Sequence, residues 1–242
     1  MENNNNNEAE KGGTNENKFM VPAAIIISGL IIAGAVVYVS GPKSLQPANN
    51  NGGDLQPTPA VNTAEILKVR NGDFYLGNPG AKVVVVEYGD YQCPFCGKWF
   101  KEVEPQIINN YVKTGKAVFI FRDFAFLGEE SIRSSEATRC ANEQGKFWEY
   151  HNYLYGNQQG ENQGAFSDEN LKKIAATLKL NTAAFNTCFD SGKHKQAVID
   201  ATAEGRSAGV QGTPATFING ILVSGAQPWT AFQSKIEAEL KK

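Results

Sequence analysis

The chain has 242 residues, a formal net charge of −2 and a charged fraction of 20%. Proteins that bind nucleic acid usually carry a basic patch and a high isoelectric point, so this composition argues against a nucleic-acid partner. The length suits one ordinary domain with accessory segments, or at most two small domains. Four cysteines in a chain this long are too few for a miniprotein that depends on disulfides.

The N-terminal part divides by composition into segments that precede any globular pattern. Residues 1–18 contain the run Asn3–Asn7 and almost no large apolar side chain, which predicts a disordered tail. Residues 41–63 are rich in proline, glycine and asparagine, a composition typical of a flexible linker. The folded domain is therefore expected to span residues 64–242.

Between the tail and the linker, residues 19–40 are predicted to form a single transmembrane anchor. The stretch Val21–Val39 has no charged residue and, at about 1.5 Å per residue, would span roughly 28 Å as a helix. A cleaved secretory signal is the alternative, although the apolar core of such signals is usually only about 7–15 residues long. Lys11 and Lys18 precede the stretch and only Lys43 soon follows it. This bias predicts a single-pass protein of the cell membrane with an extracytoplasmic domain.

The domain opens with a strand, a helix and a second strand. Lys82–Tyr88, KVVVVEY, is apolar and β-branched enough to predict a buried strand. A helix is predicted from about Cys93 to the Lys113–Gly115 segment, which ends in glycine. Ala117–Phe121, AVFIF, predicts another buried strand. This order is the pattern of a parallel crossover.

The remainder of the domain reads as helices followed by a hairpin and a last helix. Residues 129–209 predict several helices with few strand signals. Ala215–Ile218 and Ile221–Ser224 predict two short strands around Asn219-Gly220, a strong signal for a type I′ hairpin. Trp229–Leu240 predicts an amphipathic helix that closes the chain.

The segment Cys93-Pro94-Phe95-Cys96 carries the candidate chemistry, because it lies at the junction of a buried strand and a helix. A spacing of three residues puts both sulfurs on one helical face, within reach of a disulfide. Cys93 would occupy the helix N-terminus, where free N–H groups and the helix dipole stabilise a thiolate. The thiolate is the species that attacks a disulfide. Cys96, one turn further in, is suited to resolve a mixed disulfide.

Two other interpretations compete for this segment. A C-x-x-C can be half of a zinc site, but a second closely spaced pair would be needed, and Cys140 and Cys188 stand apart from each other. A purely structural C-x-x-C disulfide is the other possibility. We therefore expect no metal and no cofactor, and a redox role for Cys93 and Cys96.

The segments VVVVEYGDYQCPFC and QGTPATFING, with the helical insert between them, resemble the DsbA-like branch of the thioredoxin superfamily over about residues 70–242. The resemblance implies an α/β thioredoxin fold with an inserted helical domain, at about residues 129–209. It implies an enzyme that forms or rearranges disulfides in exported proteins. The implied partners are cysteine-containing exported substrates and a membrane redox partner that resets the active pair.

One position departs from the family pattern. Phe95 stands where the best-known oxidases have histidine, and phenylalanine cannot help to hold a thiolate electrostatically. The direction of exchange therefore stays open between oxidation, isomerisation and reduction of the thioredoxin type. A non-catalytic peptide-binding module on the same fold is a further alternative.

The resemblance also implies three further site residues. Glu87 lies in the buried strand six residues before Cys93, at the position of the family's acid. Burial would raise its pKa and let it accept the proton of Cys96 during exchange. Thr213-Pro214 matches the family's cis-proline dipeptide, which packs beside the nucleophile and leaves the backbone free to pair with a substrate.

Cys140 and Cys188 lie in the predicted helical insert, where two buried free thiols are one possibility. Outside the cytoplasm such thiols would be oxidised. Four cysteines allow three pairings, and an active pair at Cys93 and Cys96 leaves only a Cys140–Cys188 structural disulfide. The two histidines, His151 and His194, and the polar loop Gly156–Gly164 are expected to have no catalytic role.

Overall fold

The structure, a computed structural model, describes residues 67–242. The predicted tail, anchor and linker lie outside the described residues. Among residues 67–242, no helix combines the length and the apolar character that a membrane crossing requires.

A five-stranded sheet forms the centre of the domain, in the order β1-β3-β2-β4-β5. Strands β2 and β3 are parallel, and the other neighbouring strands are antiparallel. The strands are β1 Phe74–Gly77, β2 Val83–Gly89, β3 Ala117–Asp123, β4 Ala215–Ile218 and β5 Ile221–Ser224. The β2–helix–β3 crossover is the predicted one, and nearly all residues of both strands are buried.

Strand β1 was not predicted from the sequence. It contains only four residues, FYLG, and it pairs with the edge of β3. Its Tyr75 is exposed, so the strand has neither a continuous apolar run nor a long alternation. The pairing with β3 therefore determines its conformation more than its own sequence does.

The prediction of one continuous helix from Cys93 to residue 112 is wrong. Helix α1 spans Pro94–Glu102, α2 spans Glu104–Ile107, and a π-helical turn follows at Ile108–Val112. The break falls next to Pro105 because proline has no N–H to donate and its ring clashes with the carbonyl four residues earlier.

Five helices lie between β3 and β4 and form the inserted domain. They are α3 Glu129–Asn142, α4 Phe147–Gly156, α5 Asp168–Thr177, α6 Thr182–Asp190 and α7 Lys195–Ser207. A disulfide between Cys140 on α3 and Cys188 on α6 crosslinks the insert. The core of the insert is continuous with the active-site segment, since Cys93 and Cys96 belong to the same cluster as Tyr150 of α4.

The C-terminal part follows the prediction closely. Asn219 and Gly220 both have positive φ, 44° and 85°, as a type I′ hairpin requires at its two central positions. The Asn219 carboxamide also accepts a hydrogen bond from the N–H of Val84, at 2.8 Å. Helix α8, Trp229–Lys241, places Phe232 and Ile236 in a second core cluster with Trp99 of α1.

Candidate active site

The turn between β2 and α1 positions the first cysteine. Asp90 is buried in this turn, and its carboxylate accepts hydrogen bonds from the N–H of Gln92 (2.9 Å), the hydroxyl of Ser131 (2.7 Å) and the N–H of Phe126 (2.9 Å). Burial raises the pKa of Asp90, and these hydrogen bonds partly offset the rise. The turn is thereby tied to the insert, and Cys93 follows it as the N-cap residue of α1.

Cys93 is a free thiol at the N-terminus of α1, with only 5% of its surface exposed. Its sulfur lies 3.4 Å from the carbonyl oxygen of Thr213, which can accept the thiol proton. The pKa of Cys93 is lowered to about 6, chiefly by a hydrogen bond with the Cys96 thiol. Burial opposes this shift, while the Thr213 side chain and the N–H groups of Cys96 and Phe95 add to it. A thiolate at Cys93 is therefore favoured at neutral pH.

Cys96 differs from Cys93 in both exposure and acidity. It is a free thiol that is fully buried. Burial raises its pKa well above the ordinary value, and the hydrogen bond and negative charge of Cys93 and the charge of Glu87 raise it further. The pair is therefore asymmetric, with an acidic sulfur at the helix end and a sulfur behind it that holds its proton.

Glu87 lies in the middle of the sheet, behind the cysteine pair. Its side chain is fully buried, and neither carboxyl oxygen has a hydrogen-bond partner among the described residues. Burial raises its pKa well above the ordinary value, and the charges of Glu104 and Cys93 raise it further. A neutral carboxylic acid at this position can give or take one proton.

The Thr213–Pro214 peptide bond is cis, as the resemblance implied. Strand β4 starts directly after it, at Ala215, and pairs with β2 so that Thr216 lies opposite Glu87. This pairing brings the Thr213 carbonyl to the Cys93 sulfur. The structure therefore brings together five of the predicted site residues: Glu87, Cys93, Cys96, Thr213 and Pro214.

The disulfide between Cys140 and Cys188 lies in the insert, between α3 and α6. His194 lies close to both sulfur atoms and bonds to the carboxylate of Glu143 at 2.7 Å. Because the two sulfurs are bonded to each other, they do not offer the thiolate ligands that a zinc site requires. The arrangement is a disulfide crosslink beside a hydrogen bond between His194 and Glu143.

Sequence reasoning missed a buried polar cluster behind α1. His151 of α4 is fully buried, and its ring nitrogens lie 3.1 Å from the hydroxyl of Tyr91 and 3.5 Å from the carboxylate of Glu104. Tyr155, also from α4, is fully buried. Burial raises its pKa well above the ordinary value, and the negative charges of Cys96 and Glu87 raise it further. These groups come from three distant parts of the chain, so no spacing in the sequence indicates the cluster.

One aromatic side chain at the site faces solvent. Phe95, between the two cysteines, is 65% exposed. The position between the two cysteines therefore carries an uncharged apolar ring that is open to solvent.

Comparison with known proteins agrees with this geometry. Residues 70–238 match the family model described as "Thioredoxin". The chain belongs to the thioredoxin family. "Probable disulfide bond formation protein D" of Bacillus cereus is 29% identical over 171 residues, which cover 69% of this chain and 78% of that protein. "Disulfide bond formation protein D" of Bacillus subtilis is 25% identical over 173 residues, with coverage of 70% and 78%.

Two solved structures show the same fold as this chain. BdbD from Bacillus subtilis, in its oxidised form, aligns with a TM-score of 0.68 and 24% identity, covering 73% of this chain and 97% of that one. α-DsbA1 from Wolbachia pipientis aligns with a TM-score of 0.67 and 24% identity, covering 74% and 96%. The chain is thus a DsbA-like thiol–disulfide oxidoreductase with the α/β thioredoxin fold and a helical insert.

Proposed function

We propose that this enzyme forms disulfides in exported proteins, with Cys93 as the exchanging sulfur and Cys96 as the resolving one. The observation that carries the proposal is the position of the Cys93 sulfur, at the N-terminus of α1 and 3.4 Å from the Thr213 carbonyl. Cys96 is fully buried behind it. An incoming disulfide or thiolate therefore meets Cys93 first.

In the oxidising direction, the reaction begins with Cys93 and Cys96 joined as a disulfide. A substrate thiolate attacks the Cys93 sulfur, so that a mixed disulfide forms and the Cys93–Cys96 bond breaks. Cys96 leaves with the electron pair and takes up a proton. A second substrate thiolate then attacks the substrate sulfur of the mixed disulfide, which forms the substrate disulfide and releases Cys93 as a thiolate. The substrate loses two electrons and the active pair gains them.

The acidity of Cys93 supports oxidation as the favoured direction. A pair whose released thiolate is stable is more easily reduced, and a more easily reduced pair is a stronger oxidant. The pKa of about 6 arises although Phe95 carries no charge, because hydrogen bonds from Cys96 and from the N–H groups at the helix N-terminus take the place of a charged neighbour. A reductase of the thioredoxin type is the second candidate, and the reduction potential separates the two.

Glu87 is proposed to exchange the proton of Cys96. Cys96 must be protonated when it leaves and deprotonated when it attacks, yet it is fully buried. The Glu87 carboxyl is buried nearby and interacts electrostatically with Cys96. Since its pKa is raised, Glu87 holds a proton that it can donate to Cys96 during oxidation of a substrate.

Thr213 and Pro214 are proposed to present a backbone edge to the substrate. Main-chain pairing with an extended peptide tolerates many sequences, as an enzyme acting on diverse exported chains needs. Proline at 214 has no N–H, and the Thr213 carbonyl is held beside the reactive sulfur. A substrate strand paired there would have its own sulfur directed at Cys93.

We also propose that residues 19–40 anchor the enzyme in the cell membrane and that a membrane redox partner reoxidises the active pair. The charge-free stretch Val21–Val39 supports the anchor. Each catalytic cycle leaves two electrons on the pair, so a partner that accepts them is required. Fractionation of cells that produce the full-length chain tests the anchor, because a soluble form starting near residue 41 would mean that the segment is a cleaved signal.

The central test is covalent trapping with the full-length chain. Cys96→Ala should accumulate mixed disulfides with peptides that contain a disulfide, because the Cys93 thiolate attacks that bond and the resolving thiol is gone. Cys93→Ala should accumulate none. Both are measured by non-reducing electrophoresis and mass spectrometry of the linked peptides. If Cys93→Ala traps peptides through Cys96 as fast as Cys96→Ala traps them through Cys93, the assigned roles are wrong.

A further inference from the structure

The loop of residues 157–164, between α4 and α5, lies against the active-site turn. The sequence predicted only a polar connection there. The carboxamide nitrogen of Gln158 donates hydrogen bonds to the carbonyl oxygens of Tyr91, at 2.7 Å, and of Cys93, at 3.0 Å. One side chain of the insert thus spans the last turn residues and the first residue of the catalytic motif.

Glycine at position 97 leaves room for this contact. A methyl group on Gly97 would overlap the carboxamide oxygen of Gln158. The Gln158 side chain therefore rests directly on the first turn of α1, where any larger residue would displace it. The N–H of Gly97 donates to the same Cys93 carbonyl, at 3.1 Å, so that carbonyl has two donors.

A second residue of the loop holds the neighbouring turn. The N–H of Asn162 donates to the carboxamide oxygen of Gln92, at 2.5 Å, and the Asn162 carboxamide donates to the carbonyl of Leu127, at 2.6 Å. Gln92 in return donates to Asn162 at 3.3 Å. The loop is therefore attached to the active-site turn at two points, which are four residues apart in the loop.

We propose that Gln158 and Asn162 of this loop form a clamp on the active-site turn and that Gln158 is a positioning residue for Cys93. This inference rests on the proposed function of Cys93. The carbonyls of Tyr91 and Cys93 set the orientation of the peptide planes at the start of α1. Those planes determine whether the N–H groups of Phe95 and Cys96 are directed at the Cys93 sulfur, as the structure has them. The clamp thereby stabilises the thiolate without touching the sulfur.

The clamp contributes little to the core of the domain. Within the described residues, the apolar cluster shared by the insert and the active site draws no side chain from residues 157–164. Gln158 itself is partly exposed. Loss of its side chain should therefore change the acidity of Cys93 more than the stability of the fold.

The test compares Gln158→Ala and Gly97→Ala with the parent, all as the full-length chain. Gln158→Ala removes the donor, and Gly97→Ala displaces it by steric overlap while adding a better helix former to α1. In both variants we expect the pKa of Cys93 to rise by about half to one unit, which lowers the thiolate fraction below pH 6 by roughly three- to tenfold. The reduction potential against glutathione should become more negative in both. The pKa is read from the pH dependence of Cys93 alkylation.

A double variant and a neighbouring control complete the experiment. Gly97→Ala/Gln158→Ala should show no larger shift than either single variant, because both changes break the same contact. Gln159→Ala, an exposed position in the same loop, should leave the alkylation profile and the potential unchanged. Urea unfolding of each variant reports any general loss of stability separately.

Two results would overturn the clamp. One is a parent-like Cys93 titration and potential in both single variants, and the other is fully additive shifts in the double variant. Either result would leave disulfide exchange through Cys93 intact. Failure of the proposed function has a different signature, namely exchange activity that persists in Cys93→Ala.

Discussion

Glu87 is a carboxylic acid without a hydrogen-bond partner among the described residues, in the centre of a sheet of valines and phenylalanines. Burying an ionisable group in this way costs free energy unless the group becomes neutral. The raised pKa of Glu87 therefore lowers stability at neutral pH, and a proton held beside a buried thiol is what the exchange role proposed for Glu87 requires.

This leads to a prediction for Glu87→Gln. The folded protein keeps the Glu87 proton to a higher pH than the unfolded chain, whose carboxyl titrates near 4.5. The parent therefore loses stability as the pH rises from about 4.5 through the raised folded pKa. Glutamine has no such ionisation, so the variant should be more stable than the parent at pH 8. The difference should vanish at pH 4.

Urea unfolding at the two pH values measures this difference in the free energy of unfolding. Glu102→Gln, at an exposed position of α1, is the matched control and should change little. The rate at which Cys96 resolves a mixed disulfide should fall in Glu87→Gln and not in the control. Equal stability of variant and parent at pH 8 would contradict a raised pKa of Glu87 in the fold.

At the scale of elements, the Cys140–Cys188 crosslink is the feature that most restricts the insert. It joins α3 to α6 across a sequence separation of 48 residues. Closing a loop of that length reduces the entropy of the unfolded chain, and loss of a native disulfide typically costs about 2–5 kcal/mol. The insert also carries the buried histidine and the clamp loop, so its integrity matters to the site.

We predict that Cys140→Ala/Cys188→Ala lowers the free energy of unfolding by about 2–4 kcal/mol. Denaturant unfolding of the parent and the variant under non-reducing conditions measures the loss. Ser191→Ala, a substitution next to Cys188 that removes only a local hydrogen bond to its carbonyl, serves as the control. Unchanged stability in the double variant would mean that the two cysteines do not pair in solution.

The elements that could be predicted from the sequence are those whose own residues determine them. Strand β2 is a run of valines, and Asn219-Gly220 needs two positive φ angles that few other dipeptides adopt. Strand β1 forms through its partner β3, and the break in the first helix depends on the effect of Pro105. Strand β1 could not be recognised from its four residues. The helix break could be recognised only from Pro105, a single proline within an apolar pattern.

The same distinction applies to the site. Cys93 and Cys96 are only three residues apart in the sequence, and the family resemblance indicated Glu87 and the Thr213-Pro214 dipeptide. His151 and Gln158 reach the site only because the insert folds back onto α1. Their neighbours in the chain give no sign of this, since a glutamine in a polar loop and a histidine in an aromatic helix are ordinary. Tertiary packing alone assigns them to the site.

At the scale of the whole molecule, the redox state of one pair of sulfurs is coupled to the stability of the fold. In the reduced protein the pKa of Cys93 is lowered to about 6 from an ordinary value of 9. Between about pH 6 and pH 9 the unfolded reduced chain binds more protons than the folded reduced chain. The stability of the reduced form therefore rises with pH in this window and is lost as the pH falls through 6.

We predict that the reduced enzyme gains stability over the oxidised enzyme as the pH rises from 5 to 8. The oxidised form has no thiol at Cys93 to titrate, so its stability lacks this contribution. The measurement is denaturant unfolding of both forms at pH 5 and pH 8, in a Cys140→Ala/Cys188→Ala background so that only the active pair changes redox state. Cys93→Ala in that background is the control and should show no such pH-dependent gain.

The stability difference between the reduced and oxidised forms equals the difference in the free energy of reduction between the folded and unfolded chains. A gain in the stability of the reduced form therefore means that folding makes the pair more oxidising. A reduced form that gains nothing between pH 5 and 8 would contradict both the acidic Cys93 and the oxidase direction.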